Sequence, residues 1–421
     1  MDIKQIMTQQ HLAIIANLQE LTAAVGAYST KFESSVSVDD PVAMGELAQS
    51  HVDMLGSVKQ MQSAVYGPIN MVTLHFEEFF RSAAFRSLLE MGVVDALPVD
   101  GSGMSATDLA EKLKVDEELL VRLLRIVVPT FFTESSIEVY AHTPNSLVYL
   151  FPPLRGGFIM MYDEYGPSSV KLSEFLKKNG YQNPNSLTNN PYTYAHDTKG
   201  LNMFEFLAKD PIRFKNFNDA MQAKNMQSSW PYNLFPFKEE LSKVETTDET
   251  VLLIDIGGGN GQAVTAIREL CHSIKGRMIL QDQAQVIEEI TDPLPNVEKM
   301  PHDFFATQPV QGALIYYIRR CLHDWPENEC VAILKNIAAA MKPRTSRLLI
   351  SEIVMPQGEI DNETSWYDIC MLMFSGMERS EKQWKALLHK SGLTLLQIHG
   401  AIGGSNHRVL EAVLKQSTCI I

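Results

Sequence analysis

The sequence predicts a two-domain protein with a mostly helical N-terminal part and a C-terminal α/β domain built around a parallel sheet. Its 421 residues exceed the usual size of a single hydrophobic core. Before Thr246, apolar residues recur mainly at helical spacing. After it, strand-like runs such as VLLIDI and RLLISEIV alternate with helical stretches such as GQAVTAIREL. This alternation is typical of a sheet that is covered by helices on both faces.

Composition and net charge indicate a globular protein and disfavour some classes of binding partner. Apolar residues make up 45% and charged residues 20% of the chain, ordinary values for a globular protein. The formal net charge of −14 disfavours nucleic acid and anionic membrane surfaces as partners. The N-terminus lacks the pattern of a signal peptide, and no apolar run reaches the roughly 20 residues of a membrane span. We therefore expect a soluble, cytoplasmic protein.

Five scattered cysteines are predicted to be free thiols that serve packing, without a disulfide framework or a zinc site. They are Cys271, Cys321, Cys330, Cys370 and Cys419.

Residues 1–70 are predicted to form N-terminal helices that contact a second subunit. Apolar side chains follow helical spacing over residues 3–26, and the polar stretch STKFESSVSVDD then predicts a linker. The alternative, a helix that lies on its own domain, explains the same spacing equally well.

Residues 71–155 predict a winged-helix-like dimerisation domain. Ser105 and Asp108 have the spacing of a capping box at the start of the first helix. A second helix, DEELLVRLLRIVV, and a strand in IEVYAHTPNSL follow. DNA binding is disfavoured because this second helix begins Asp116-Glu117-Glu118, which would repel phosphates in a groove.

Residues 156–245 predict a helical connecting region on the substrate side. A long polar interruption, NGYQNPNSLTNNPYTYAHDTKG, indicates a loop that is functional or mobile. Large Met and aromatic side chains in this region either form an ordinary core or line a pocket for a bulky apolar ligand.

Residues 246–421 carry a glycine loop that points to a particular cofactor. The strand VLLIDI leads into Gly257, Gly258 and Gly259, but position 262 is Gln, so the dinucleotide pattern G-x-G-x-x-G is absent. Asp255 would disfavour a pyrophosphate and suits a ligand with an ammonium group and a cationic sulfur. S-adenosylmethionine is such a ligand. Asp282 ends the next strand, where a carboxylate either binds a ribose diol or caps the following helix.

A histidine and two acids predict acid–base chemistry. His323 follows the strand ALIYYIRR, at the edge of the sheet where ligands bind. Glu352 ends the strand RLLISE, and Glu378 precedes a helix. Transfer of a methyl group to a phenol of pKa about 10 benefits from a base of pKa near 7, and a carboxylate can fix the tautomer of a histidine. No cluster of metal ligands is evident, so we expect no metal.

With these motifs the chain resembles the class I S-adenosylmethionine-dependent O-methyltransferases of the plant and fungal small-molecule type, from about residue 76 to about 415. The resemblance implies a C-terminal Rossmann-like class I methyltransferase domain, a helical dimerisation domain and a homodimer. It also implies S-adenosylmethionine as cofactor. The implied cofactor-binding residues are Asp255, Gly257, Gly258, Gly259, Asp282, Asp303, Phe304 and Arg319. Of these, Asp303 and Phe304 would flank the adenine. Many relatives have Asp-Leu-Pro where this chain has Asp282-Gln283-Ala284, which changes the adenine packing but removes no charge.

The same resemblance assigns catalysis and the acceptor. His323 would be the general base, with Glu352 and Glu378 beside it. The residues facing the acceptor would be Phe217, Met221, Met371, Met161 and Phe374, each of which also fits ordinary core packing. The acceptor would be a flat, largely apolar, hydroxylated small molecule. The runs PHDFFATQPVQGA and YYIRRCLHDWPENEC resemble the fungal branch and so imply secondary metabolism.

Two other interpretations remain open. The fragments GRMILQD and PHDFFATQPVQGA also resemble the leporin-type pericyclases, which bind S-adenosylmethionine and act on a pyridone-type intermediate without methyl transfer. Those relatives carry a permanently cationic residue at the position of His323, which cannot accept a proton. The histidine and both acids therefore favour methylation. An inactive methyltransferase-like scaffold would need neither base nor acids.

Overall fold

The computed structural model describes residues 3–35, 41–227, 234–358, 362–400 and 406–415. They belong to two compact units. The helical unit comprises Met1–Val170 and Phe204–Ser229, and the sheet unit comprises Lys171–Met203 and Trp230–Ile421. The sequence also predicts a C-terminal hairpin of LTLLQIHGA and HRVLEAVLK around a Gly-Gly-Ser-Asn turn. Residues 403–405 of this turn and Cys419 lie outside the described residues. No helix of the described ranges is both long and apolar enough to cross a bilayer.

The first half of the chain is mostly helical, as predicted. Its elements are α1 (Ile3–Ser35), α2 (Pro41–Met91), α3 (Val93–Ala96), β1 (Met104–Ser105), α4 (Ala106–Leu113), α5 (Glu117–Val127), β2 (Phe132–Ser136), β3 (Val139–His142), α6 (Pro144–Leu147), α7 (Pro152–Met160), α8 (Gly166–Lys178), α9 (Pro191–His196), α10 (Met203–Leu207) and α11 (Pro211–Gln227). A 3₁₀ turn covers Val148–Leu150, and a π-helical turn covers Met161–Tyr165.

The linker predicted to begin at Ser29 is helical in its first part, because α1 continues to Ser35. The ring of Tyr28 packs against Phe32 and against His51 on α2, with centroid distances of 6.1 and 5.7 Å. Packing against a neighbouring helix therefore keeps polar residues helical where local composition indicates a linker. Within α2, Gly67 adopts φ 65° ahead of Pro68 and kinks the helix.

The winged-helix-like arrangement is confirmed in the helical unit. Ser105 caps α4 by accepting the amide hydrogen of Asp108 at 3.1 Å, and Asp116 caps α5 by accepting that of Leu119 at 2.8 Å. The strands form a small antiparallel sheet in the order β1-β3-β2. One hydrophobic core, which includes the fully buried Phe85, joins these elements.

The sheet unit has the α/β architecture that the alternating pattern predicts. Besides α9, its elements are α12 (Phe237–Leu241), β4 (Val251–Ile256), α13 (Gln262–Leu270), β5 (Arg277–Asp282), α14 (Ala284–Glu289), β6 (Glu298–Pro301), β7 (Ile315–Arg319), α15 (Glu327–Ala340), β8 (Arg347–Met355), α16 (Asn362–Leu372), β9 (Arg379–Ser380), α17 (Glu381–Lys390), β10 (Leu393–His399) and β11 (His407–Leu414). The 3₁₀ turn Leu322–Asp324 follows β7.

The sheet is mixed rather than fully parallel. Its strand order is β10-β11-β8-β7-β4-β5-β6, with β9 paired to β8. The strands from β8 to β6 run parallel, whereas β11 and β10 are antiparallel additions. Two apolar cores cover the two faces. Because β4, β5, β7 and β8 are parallel, the residues that end them lie along one edge of the sheet.

The long polar interruption after α8 is anchored to the sheet unit. Asn190 caps the short helix α9 by accepting the amide hydrogen of Thr193 at 2.9 Å. The backbone N–H of Tyr192 donates to the carbonyl of Met373 at 2.8 Å, and the Ser375 hydroxyl donates to the carbonyl of Ser186 at 2.8 Å. This segment therefore packs against the chain that follows α16.

Candidate active site

The glycine loop after β4 makes a tight turn in a backbone conformation that favours glycine. Gly257 and Gly259 adopt φ 65° and 57°. The N–H groups of Gly257 and Gly258 donate to the carbonyl of Gln281 at 2.8 and 3.2 Å. A Cβ atom at Gly258 would lie 2.5 Å from Leu280 Cδ1. A Cβ atom at Gly259 would meet nothing within 4 Å, so the loop packs closely on the sheet at Gly258 and is open to approach by a ligand at Gly259.

Asp255 is buried under the glycine loop with an unsatisfied carboxylate. Neither of its oxygens has a partner of hydrogen-bonding geometry among the described residues. Burial raises its pKa to about 6, against the lowering effects of Arg319 and of the nearby Val264 amide, and Asp282 adds a further rise. A buried acceptor of this kind fits a ligand that brings hydrogen-bond donors or positive charge.

Asp282, at the end of β5, connects that strand to the glycine loop. Its Oδ2 accepts the N–H of Gly259 at 2.8 Å, and its Oδ1 accepts that of Gln283 at 2.8 Å. Burial raises its pKa, and the same two hydrogen bonds lower it. Among the described residues, its side chain accepts no hydrogen bond from an amide within α14, which begins at Ala284. Because each carboxylate oxygen can accept a second hydrogen bond, the group stays able to bind a diol.

A cleft of about 500 Å³ opens beside Asp282. Its lining residues are Gln283, Ala284, Pro301, His302, Asp303 and Phe305. Phe304 is not one of these lining residues; its ring packs edge-on to Trp325 with centroids 5.9 Å apart, and its Cε1 would lie 3.5 Å from a Cβ atom at Gly257 in the glycine loop. Phe305, which the sequence analysis did not name, lines the cleft together with the predicted Asp303. Two adjacent phenylalanines in a loop show no periodicity from which this could be predicted. Gln283 and Ala284, the two positions at which the sequence departs from Asp-Leu-Pro, also line this cleft.

His323 lies on the 3₁₀ turn after β7 and is only 5% exposed. Its Nδ1 lies 2.7 Å from Oε1 of Glu378, a hydrogen-bond distance. Its Nε2 is 3.5 Å from Oδ1 of Asp324. Because an ionised carboxylate can only accept, Nδ1 carries the hydrogen of this pair, and Nε2 is the nitrogen left to exchange a proton with another molecule.

The two predicted acids have different contacts. Glu352, on β8, uses Oε1 to accept the backbone N–H groups of Cys321 and Leu322 at 3.0 and 2.9 Å. Its Oε2 is 3.7 Å from Nδ1 of His323. Glu378 bonds the imidazole directly, and its own N–H donates to Asp368 at 2.9 Å. Glu352 therefore holds the turn, whereas Glu378 holds the ring.

The imidazole is more basic than the value near 7 expected from sequence. Burial lowers the pKa of His323, but Glu352, Glu378 and Asp324 together raise it to about 9. Burial and Glu378 raise the pKa of Glu352 to about 7, although His323 opposes this. Three carboxylates around one buried ring thus hold a proton on it at neutral pH.

His323, Glu352 and Glu378 are also the described residues whose ligand atoms lie close enough to hold a metal ion, within 4.8 Å of one another. The 2.7 Å separation of Nδ1 and Oε1 is that of a direct hydrogen bond. Two nitrogen or oxygen ligands of a tetrahedral zinc ion, each about 2 Å from the metal, lie about 3.3 Å apart. The observed geometry is that of a histidine–carboxylate pair.

All predicted catalytic and cofactor-binding residues fall in the sheet unit, whereas the predicted acceptor contacts are divided. Met371 and Phe374 are buried in the sheet unit, 2% and 4% exposed, next to the segment that carries Glu378. The other three belong to the helical unit and are half-buried: Phe217, Met221 and Met161. Phe217 packs edge-on to Phe204 at 6.0 Å, and Met161 begins the π-helical turn.

Arg379 is a residue of this site that the sequence analysis missed. It is buried, and it donates hydrogen bonds to the carbonyls of Leu322 and Trp325, on either side of His323. The only signal in the sequence was its position directly after Glu378.

Comparison with known proteins agrees with this geometry. Residues 177–394 match the model of the O-methyltransferase domain, and residues 73–151 match that of the O-methyltransferase dimerisation domain. The O-methyltransferase afvC of Aspergillus flavus is 42% identical over 406 residues, which cover 96% of this chain and 97% of that protein.

Solved structures resemble the chain over nearly its whole length. OxaC superposes with a TM-score of 0.85 at 32% identity, covering 96% of this chain and 100% of OxaC. OxaC has been solved with sinefungin and meleagrin, and with S-adenosylhomocysteine (SAH) and oxaline. A pericyclic reaction enzyme superposes with a TM-score of 0.80 at 27% identity, covering 93% of this chain and 100% of that structure.

These matches confirm the predicted fold class and, at the level of the family, the predicted cofactor. A helical part with a winged-helix-like sheet and a Rossmann-like class I domain are both present, and the neighbours bind S-adenosylmethionine-type ligands. From the glycine loop, the histidine–carboxylate pair and these similarities together, the chain belongs to the O-methyltransferase family.

Proposed function

We propose that the protein is an S-adenosylmethionine-dependent O-methyltransferase, acting as a cytoplasmic homodimer on a hydroxylated aromatic or polyketide-type small molecule in fungal secondary metabolism. The observation that carries the proposal is the His323–Glu378 hydrogen bond at the sheet edge that also bears the glycine loop. A base and a cofactor loop on one edge are what transfer of a methyl group to a hydroxyl requires.

The residues of this edge fit S-adenosylmethionine. Asp282 would accept hydrogen bonds from the ribose hydroxyls, and the unsatisfied carboxylate of Asp255 suits the positive charge of the cofactor. The cleft bounded by Asp303 and Phe305 has room for a purine. When bound there, the cofactor supplies an electrophilic methyl group on a cationic sulfur.

His323 would take the proton of the acceptor hydroxyl at Nε2, while Glu378 keeps the ring oriented from the Nδ1 side. With a pKa of about 9, the ring accepts a proton from a phenol of pKa about 10 at a cost of about 1.4 kcal/mol, whereas an ordinary histidine would require about 5 kcal/mol. The same high pKa keeps the ring protonated at neutral pH. The carboxylates therefore make the base stronger and its free form scarcer.

The homodimer rests on the match to the dimerisation domain and on apolar side chains that α2 exposes. Phe76, Phe79 and Phe80 are 61%, 52% and 58% exposed within the single chain. Apolar residues exposed together on one helix are typical of surfaces that a partner subunit covers.

A second candidate is an S-adenosylmethionine-binding pericyclase or dehydratase that acts on a pyridone-type intermediate. Two observations favour it: the structural similarity to a pericyclic reaction enzyme, and the protonated state of His323 at neutral pH that its pKa implies. An imidazolium can donate a hydrogen bond from Nε2 in the way that a fixed cation does.

The test uses S-adenosylmethionine with an isotopically labelled methyl group and a panel of naphthols, hydroxyxanthones and hydroxylated pyridones. We expect a labelled product and an equal amount of SAH, and we expect His323→Ala to lose turnover while it still binds S-adenosylmethionine in calorimetry. A rearranged product formed with the cofactor intact would replace methylation by the pericyclase candidate. Unchanged turnover in His323→Ala would remove the histidine from the reaction.

A further inference from the structure

We propose that Arg379 is a positioning residue for His323, and that its guanidinium fixes the turn on which the imidazole is carried. The inference rests on the proposed function, in which His323 is the base. It assigns to Arg379 the task of keeping the ring at hydrogen-bond distance from Glu378.

The guanidinium of Arg379 binds both ends of the turn. Its Nη1 donates to the carbonyl oxygen of Leu322 at 2.8 Å, and its Nη2 donates to that of Trp325 at 2.8 Å. These two carbonyls enclose His323 and Asp324. Arg379 thus holds the residue before the imidazole and the second residue after it, without touching the imidazole itself.

Arg379 is a buried cation without an ion-pair partner in the part of the chain that the structure describes. It is 4% exposed, and among the described residues no salt bridge to its side chain is formed. Its remaining contacts are Cys330 Sγ at 3.4 Å, the Met377 carbonyl at 3.5 Å and the ring of Trp384, 5.5 Å from the guanidinium carbon. Burial of an unpaired charge is unfavourable, and an apolar side chain would fill the space more cheaply. What the guanidinium adds is a set of directed donors.

The neighbours of Arg379 bind the same turn. The N–H of Met377 donates to the carbonyl of His323 at 2.8 Å, and Glu378 accepts from its ring. A Cβ atom at Gly376 would lie 2.4 Å from the same carbonyl oxygen, so a side chain there would push the segment away. Gly376–Arg379 therefore holds the histidine at its ring and at its backbone, and a displaced turn would lengthen the His323–Glu378 hydrogen bond.

Lysine cannot replace arginine in this arrangement. The planar guanidinium presents separate nitrogens to two carbonyls that lie three residues apart, whereas a lysine offers one nitrogen. Arg379→Lys therefore keeps the charge and loses the fork. This matters because removing a nearby positive charge would raise the pKa of His323, whereas loosening its pair with Glu378 would lower it.

The groups that act on the charge of His323 are Glu352 on β8, Glu378, the adjacent Asp324, and His407 on β11, which itself faces Arg320. Arg379→Lys changes none of them. A shift in the pKa of His323 in this variant therefore reports a change of position.

The experiment measures this pKa by NMR of protein labelled with 13C-histidine, with the resonance assigned from His323→Gln. The variants are Arg379→Lys and, as a matched control, Arg347→Lys, whose arginine begins β8 and pairs with Glu240 on α12 and Glu411 on β11. We expect Arg379→Lys to lower the pKa of His323 by at least one unit. We also expect its kcat above pH 9 to fall about 10- to 100-fold, with the KM for S-adenosylmethionine within about twofold of the parent value. The control should retain the parent values.

A parent-like pKa and kcat in Arg379→Lys would overturn the proposal, as would a loss of thermal stability without a shift of the pKa. If that variant does not fold, Arg379→Gln keeps one side-chain amide donor and loses the fork. A pKa of His323 above the parent value in Arg379→Gln would also overturn the proposal, because it would show that Arg379 acts on the ring by its charge rather than by its hydrogen bonds. The NMR measurement does not depend on methyl transfer. If the protein does not transfer methyl groups, the labelled-methyl assay will show it. The comparison of His323 pKa values between the variants would still test the role of Arg379.

Discussion

Glu352 lies 3.7 Å from the imidazole of His323 yet forms its hydrogen bonds with the backbone, accepting the N–H groups of Cys321 and Leu322. The acid that bonds the ring is Glu378. The sequence analysis gave Glu352 and Glu378 the same place beside His323. In the structure they bind different parts of one turn, so substitutions can test their two roles separately.

Glu378→Gln should be more harmful than Glu352→Gln. The amide introduced by Glu378→Gln can pair with the wrong ring tautomer, so we expect kcat to fall about 10²- to 10⁴-fold. The amide oxygen introduced by Glu352→Gln can still accept both backbone N–H groups, so we expect a loss of about tenfold or less. Steady-state kinetics of both variants decide the order, and equal losses would contradict the division of roles.

Methyl transfer should increase with pH up to about 9. The reactive form of His323 is the free base, and the surrounding carboxylates raise its pKa to about 9, so activity is lost as the pH falls below that value. The measurement is kcat/KM from pH 6 to 10 at constant ionic strength, with overlapping buffers as the control. A midpoint near the ordinary histidine value of about 6.5 would show that the carboxylates do not act on the ring in solution.

Asp255→Asn should stabilise the ligand-free protein and weaken its binding of S-adenosylmethionine. Burial raises the pKa of Asp255 from 3.8 to about 6, so ionisation destabilises the folded state as the pH rises through this window. The variant should recover up to about 3 kcal/mol of unfolding free energy at pH 7. Chemical denaturation and calorimetric titration measure the two effects. Tighter cofactor binding would refute the role given to this carboxylate.

Phe79→Glu combined with Phe80→Glu should dissociate the proposed homodimer. Both rings are more than half exposed in the single chain, and a charge placed in an apolar interface is costly to bury. Light scattering coupled to size exclusion measures the mass, with Ile137→Glu, on the exposed turn between β2 and β3, as control. An unchanged dimer would place the subunit contact elsewhere.

Much of the sheet unit could be predicted because its signals are local. Strands such as β4 and β8 are continuous apolar runs, and the glycine loop is contiguous in sequence. The strands β10 and β11 are consecutive in sequence and pair with each other at the end of the sheet, so their hairpin could also be predicted. The end of α1 was not, because Tyr28 is held helical by His51 from a different helix.

The pKa values of the site were harder to predict than the identity of its residues. Sequence identifies His323, Glu352 and Glu378, but the pKa of a ring depends on distances that only the fold sets. Arg379 escaped notice because its partners are backbone carbonyls, which no residue type reveals. The orientation of Phe304 and Phe305 likewise depends on a loop without a repeating pattern.

The turn around position 323 is held by amide and carbonyl groups that every amino acid possesses: Glu352 binds at 321 and 322, Arg379 at 322 and 325, and Met377 at 323. Apart from the Glu378 contact, none of these bonds depends on which side chain the turn presents. A single codon change could therefore exchange a proton acceptor for a fixed cation without rebuilding the support beneath it. Because the support of the turn does not depend on the side chain at position 323, one substitution there could convert a methyltransferase of this fold into a catalyst of a rearrangement.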